Sequence, residues 1–317
     1  MKIFITGIAG MIGFHLARQL WSDGHDVMGI DDYNSFYYDW VLKMNRAKLL
    51  KEQGIHVITG DFCYGPDYTP DLVIHLAAHA AVRHSMDNAA EYFDNNVIKT
   101  DMLIRSLEKR GVQKVIYAST SCVQHGQPLP WKESDRPGHQ NNPYGISKRV
   151  NECQFLNSNI EHAVGLRFFT AYGPWGRPDM ALHKFVDAMV RNEPITVYNN
   201  GIMKRDFTYV DDVVKAISYI VETLQYPRED WDMDIRDNKE IYNVGRGKQV
   251  DLMEFIRLIS KKLQKYPSLD FQPAHPADVL ETWADNGKLR NLGWKPTVDI
   301  EQGVSKFVDW YKEYYGC

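Results

Sequence analysis

The sequence predicts an α/β fold, a doubly wound parallel sheet followed by a smaller C-terminal α/β part. Three observations predict it. Thr6-Gly7-Ile8-Ala9-Gly10-Met11-Ile12-Gly13 is a glycine-rich turn between an apolar strand and an amphipathic helix. Asp31 closes the next apolar run, 18 residues after Gly13. Strand and helix patterns then alternate up to about residue 170, the signature of a parallel sheet covered on both faces. Together these describe a Rossmann-type half of 1–170 and a second part of 171–317, with some exchange of chain between them. Such a sheet binds ligands at the carboxyl ends of its strands.

The elements follow in order. Lys2–Thr6 is a short buried strand, Met11 to about Ser22 a helix with Ile12, Leu16 and Leu20 on one face, and Asp26–Asp31 the second strand. Apolar runs at His56–Thr59, Leu72–Leu76, Lys114–Ala118 and Ala163–Phe168 supply further strands. Helical patterns at about 91–109 and 144–158 separate the later ones. Beyond 170 come a loop, Gly173-Pro174-Trp175-Gly176-Arg177-Pro178, and helical stretches near 179–191, 211–225 and 251–263. Short strands are expected at 195–198 and 241–244. The polar run 226–240 reads as an exposed insertion. A last amphipathic helix, 301–315, turns Val304, Phe307, Val308 and Tyr311 inward.

Composition narrows the class. The chain has 317 residues with 44% hydrophobic and 25% charged, ordinary for a globular enzyme. The net charge of −4 gives no electrostatic footprint for nucleic acid or an anionic membrane. No run approaches the roughly 20 apolar residues of a membrane span. The apolar N-terminus imitates a signal peptide, but His15, Arg18 and the regular glycines argue against one. The four cysteines show no zinc spacing and fit a reducing cytoplasm. His75 and His79 have no HExxH or cysteine partner, so no metal site is expected.

Gly7, Gly10 and Gly13 allow a tight turn and close approach of the Met11-Ile12 backbone to a pyrophosphate at a helix N-terminus. The spacing is GxxGxxG, and a plain strand-to-helix turn competes with the cofactor reading. Asp31, with Asp32 as substitute, can bind a ribose 2′-hydroxyl and repels a 2′-phosphate. The cofactor expected is therefore NAD. Asp61-Phe62 either flank the adenine or form an ordinary loop. Ala77-Ala78-His79 end the fourth strand with the small residues that a backbone against a cofactor requires.

Tyr144 and Lys148 lie four apart on one helix face. An ammonium beside a phenol favours the phenolate, moving a group with pKa of about 10 toward use as a base. Alone the pair would be a solvated surface feature. The glycine turn and the hydroxyl cluster Ser119-Thr120-Ser121, at the end of an apolar strand, reverse that judgement.

With all three motifs in this order, the chain resembles the extended short-chain dehydrogenase/reductase family over nearly its whole length. Within it the chain is similar to NAD-dependent nucleotide-sugar 4-epimerases, especially those acting on UDP-glucuronate. The segments Leu166–Pro174, Trp175–Met180 and Met203–Asp212 carry the finer match. The resemblance implies that Thr120, Tyr144 and Lys148 are catalytic, with Tyr144 and Lys148 also meeting the cofactor. It places Arg205 and Asp278 near the diphosphate, and Ser121 and Thr170 in the substrate site. Arg177 is the candidate for a bidentate contact to a sugar carboxylate, against a structural pairing with Asp179. Arg83 is a further substrate candidate, against a solvated loop. Val123-Gln124-His125-Gly126, Ala277 and Lys99 depart from the family pattern. Cys122 stands where related dehydratases and decarboxylases carry an acid, which favours epimerisation. The alternatives are another nucleotide-sugar epimerase, a dehydratase or decarboxylase of the same fold, or a non-catalytic NAD-binding sensor. The family also implies a homodimer through helices 91–109 and 144–158, using Val97, Met102, Leu103, Val150 and Phe155, unless these only face the sheet.

Overall fold

The computed structural model describes residues 1–226 and 238–317. Twelve strands are defined among them: β1 (Lys2–Thr6), β2 (Asp26–Asp31), β3 (His56–Thr59), β4 (Leu72–His75), β5 (Lys114–Thr120), β6 (His162–Phe168), β7 (Thr170–Tyr172), β8 (Ile195–Tyr198), β9 (Lys204–Tyr209), β10 (Lys239–Val244), β11 (Gln249–Asp251) and β12 (Leu269–Gln272). The helices are α1 (Met11–Ser22), α2 (Val41–Glu52), α3 (His84–Asp87), α4 (Ala89–Phe93), α5 (Lys99–Lys109), α6 (Pro143–Leu156), α7 (Ala181–Arg191), α8 (Val210–Gln225), α9 (Leu252–Leu263), α10 (Gly287–Asn291) and α11 (Ile300–Tyr315).

Seven strands form one sheet in the order β3-β2-β1-β4-β5-β6-β10, every pair parallel. Its central strands carry apolar runs, Ile3–Ile5, Leu72–Ile74 and Val115–Tyr117, because both faces are covered. Alternation along β1 sends Ile3 and Ile5 into one core and Phe4 into the other. The first core runs from Phe14 and Leu16 of α1 through Val213 and Ile217 of α8 to Phe307 of α11. The second joins Leu103 of α5 and Phe155 of α6, and Phe155 stacks on Tyr117 with ring centres 4.2 Å apart. Truncating Phe155 to alanine there would cost about 3–5 kcal/mol.

The C-terminal half is woven into this layer. β10 pairs with β6, and α8 packs on α1. Two small sheets, β11-β9-β7 and β12-β8, stand beyond the carboxyl ends of the main strands and close a cleft.

Several expectations shift. The helix expected over 91–109 is α4, then a π-helical turn at Asp94–Ile98, then α5. α2 was not legible: its inward face carries Lys43 and Arg46 beside Leu42 and Leu50, which blunts the apolar stripe. β10 begins at Lys239, two residues before the expected strand. The rest of the expected insertion, 227–237, lies outside the described residues. The inward side of α11 is as expected, with Val304, Phe307, Val308 and Tyr311 buried.

Candidate active site

The carboxyl ends of β1, β4, β5 and β6 open into a cleft of about 1040 Å³, at the upper end of the roughly 300–1,000 Å³ usual for ligand sites. Gly7, Gly10, Met11, Ile12, Gly13 and Asp31 line one end. Gly7 has φ +71°, and a Cβ there would stand 2.7 Å from Ala77 N. A Cβ on Gly13 would stand 2.3 Å from Gly7 O. Neither position tolerates a side chain, so the backbone of the turn can lie close to a bound group. Asp31 accepts from Ala9 N at 3.0 Å and from Tyr33 N at 2.9 Å. Burial pushes its pKa up, against the pull of Lys43 and these amides. Ala77, Ala78 and His79 form the facing wall. The donor set, the glycine cradle and the acid at the end of β2 fit NAD.

Asp61 is paired with Lys99. Its Oδ2 accepts from Lys99 Nζ at 2.6 Å, and its Oδ1 accepts from Cys63 N at 3.1 Å. The pair holds the Asp61 carboxyl below its usual range despite burial. Phe62 lines the cleft, whereas Asp61 is turned to Lys99.

α6 starts where Asn142 caps it, accepting from Gly145 N at 2.7 Å, with Pro143 in the first turn. That start places Tyr144 in the cleft with Thr120 at the end of β5. Thr120 Oγ1 also accepts from Cys122 N at 3.3 Å, starting the turn after β5. Lys148 is buried one helical turn on. Burial pushes its pKa down to about 7, opposed by Glu152. Burial likewise raises the Tyr144 phenol, opposed by Thr120 and Arg177.

Asn96 was missed by sequence reasoning. It accepts from His79 N at 2.8 Å, and its Nδ2 donates to His79 O at 2.9 Å and Ser147 Oγ at 3.0 Å. It thus ties the cofactor wall to α6. The local signal is the π-helical turn, a frequent mark of functional sites. Tyr37 and Lys43 also line the cleft; a lysine within a basic helix gave no sign of it.

At the other end lie Arg83, Arg205 and Asp278. Arg83 donates to Asp278 from Nε at 3.0 Å and Nη2 at 2.7 Å, and its guanidinium lies 3.8 Å from the Tyr198 ring centre. It is a paired residue that remains partly exposed. Arg205 Nη1 donates to Leu280 O at 2.8 Å, and burial lowers its pKa. Two guanidinium groups against one carboxylate leave this end cationic, suited to a diphosphate. Ser121 and Thr170 line the space between.

Arg177 does not present a free bidentate edge. Its Nε and Nη2 donate to Asp179 at 2.9 and 2.6 Å, because that acid is two residues away and fixed in the same loop. Its Nη1 donates to Ala80 O at 3.2 Å. Among the described residues no His/Cys/Asp/Glu group could hold a metal. His75 instead bonds Thr6 at 2.8 Å and Thr100 at 3.1 Å.

A family model described as the NAD dependent epimerase/dehydratase family matches residues 3–245. The chain is 40% identical to Protein CapI of Staphylococcus aureus, covering 99% of each chain. It is 35% identical to a probable UDP-glucuronate 4-epimerase of Rhizobium meliloti strain 1021, over 99% of this chain and 98% of that one. The structure of UDP-glucuronic acid 4-epimerase from Bacillus cereus in complex with UDP-glucuronic acid and NAD superposes with a TM-score of 0.89. It shares 30% identity and covers 99% of this chain and 100% of that one. The chain therefore belongs to the NAD dependent epimerase/dehydratase family.

Proposed function

We propose that this enzyme interconverts UDP-glucuronate and UDP-galacturonate by inverting C4 through a transient 4-keto sugar. One observation carries the reading: Thr120, Tyr144 and Lys148 meet at one end of a cleft whose other end holds Arg83 and Arg205. The residues around Gly7, Asp31, Ala77 and Lys148 would hold NAD, which supplies the hydride acceptor and donor for C4. Tyr144 takes the proton of the 4-hydroxyl and later returns one to the 4-keto oxygen. Thr120 shares that hydrogen bond, and Lys148 holds the local positive charge. Arg83 and Arg205 fix the diphosphate, so the sugar can turn while its nucleotide stays anchored. The hydroxyls of Ser121 and Thr170 supply donors for a C6 carboxylate. Cys122, whose thiol burial pushes up, carries no charge for the acid–base work of an elimination.

In this reading 1–170 holds NAD and the catalytic groups, and 171–317 holds mainly the nucleotide sugar, with β10 returning to the main sheet. We also propose a homodimer through α5 and α6 and a cytoplasmic location. The four free cysteines support the latter. Among the described residues no helix is long and apolar enough to cross a membrane.

Incubation with UDP-glucuronate, UDP-glucose and UDP-N-acetylglucosamine separately, with epimers resolved by chromatography, tests the assignment. Interconversion confined to the uronates is expected. Release of carbon dioxide or a stable 4-keto-6-deoxy product would reassign the chain to decarboxylation or dehydration. Equal turnover of UDP-glucose would remove the uronate specificity.

A further inference from the structure

Arg177 joins three separate stretches of chain. Through Nε and Nη2 it is locked to Asp179, in the loop between β7 and α7. Through Nη1 it holds the carbonyl of Ala80, which continues the Ala77–His79 wall of the cofactor site. Its guanidinium lies 4.8 Å from the ring centre of Tyr37, in the 33–39 segment between β2 and α2. Tyr37, Ala80, Arg177 and Asp179 all line the cleft.

The 33–39 segment is shaped locally but attached remotely. Asn34 N donates to Asp32 Oδ1 at 2.9 Å and Phe36 N to Asn34 Oδ1 at 2.7 Å, turns that close on the segment's own side chains. Such turns do not fasten it to the rest of the molecule. On its α2 side it is held by Lys43, which donates to Asn34 O and lies 5.0 Å from the Tyr38 ring centre. Toward the Ala77–Ala80 wall, fastening falls to Phe36, whose ring lies 4.6 Å from His79 and 4.5 Å from His84, and to Tyr37 on Arg177. A cation over a ring gains strength where both are desolvated, and Arg177 is largely buried. Its charge is already matched by Asp179, so it can serve as a fixed post.

We propose that Arg177 is a positioning residue that clasps the 33–39 strap to the Ala77–Ala80 wall and thereby sets how long NAD stays bound. This rests on the reading that NAD is regenerated and retained through each cycle. It does not depend on which sugar is epimerised. The Tyr37 ring must leave Arg177 before the strap can lift. Removing either partner opens the strap, and removing both adds nothing further.

The test measures NAD release from the purified holoenzyme, without sugar, by chasing bound labelled NAD with excess unlabelled NAD. Arg177→Ala and Tyr37→Leu are each expected to speed release about tenfold, the size of one desolvated cation–ring contact. The double variant should be no faster than either single one. Tyr37→Phe, which keeps the ring, should release NAD like the parent. Release from Arg177→Ala within twofold of the parent overturns the clasp, whether that variant instead loses sugar affinity or melting temperature. If Arg177→Ala does not fold, the Tyr37 pair decides, and equal release from Tyr37→Leu and Tyr37→Phe overturns the proposal. Because sugar is absent, a wrong substrate assignment leaves this result intact.

Discussion

Glu152 and Arg167 form a buried ion pair one helical turn beyond Lys148. Arg167 Nε donates to Glu152 Oε1 at 2.8 Å and Nη2 to Oε2 at 3.1 Å, with both side chains about 2% exposed or less. Ser119 Oγ donates to the same Oε1 at 2.7 Å. The carboxylate therefore pins α6 to β5 and β6 beside Thr120 and Lys148. Burial raises the Glu152 pKa, but Arg167, Ser119 and Arg149 outweigh it and hold it below the usual range. Glu152→Gln should cost about 3–5 kcal/mol, because it leaves Arg167 buried and uncompensated. A depressed carboxyl stabilises the fold above its unfolded pKa of about 4.3 and loses that contribution as pH falls through the folded value. Urea unfolding at pH 7 and near pH 3 should show the gap between parent and variant narrowing at the acid end. A constant gap would detach it from the Glu152 charge.

Tyr144→Phe removes the phenolic proton carrier while keeping the ring. Turnover of UDP-glucuronate should fall by about 10²–10⁴-fold or more, the usual worth of a general acid–base. NAD content per chain, read by absorbance after denaturation, should stay at the parent level. Near-normal turnover would remove Tyr144 from the mechanism.

Lys148 is buried and its pKa is pushed down to about 7 by that burial. A cation with a lowered folded pKa costs the fold stability below about pH 7. The cost shrinks between there and the unfolded pKa of about 10.4 and vanishes above it. Lys148→Met removes this cost along with the charge itself. Its melting temperature relative to the parent should be higher at pH 6 than at pH 9.5, while activity is lost at both. A pH-independent difference would show that Lys148 keeps its proton at no cost.

The homodimer calls for exposed apolar groups on α5 and α6. Leu103 and Phe155, expected there, are fully buried against the sheet and cannot serve. Met102 and, beside these helices, Ile98 are exposed, as is Leu156. Ile98→Asp with Met102→Glu should yield a monomer in solution scattering with the fold retained, if this face pairs two copies. A parent chain whose mass stays monomeric as concentration rises would defeat the dimer.

The sequence by itself determined the alternation of strands and helices, the flat glycine turn and the phenol–ammonium pair on α6. These follow from periodicity and backbone sterics over a few residues, so local reading suffices. Tertiary structure decided which partners the site residues meet. Arg83 finds Asp278 across 195 residues of chain, and Lys99 reaches Asp61 across 38. β10 crosses back from the C-terminal half to complete the main sheet. Arg177 shows the boundary between the two. Its pairing with Asp179 was legible as a local alternative, but its hold on Ala80 and Tyr37 was not. Those contacts exist because three loops converge at the carboxyl end of one sheet, and no local pattern encodes which charges and rings then come within reach.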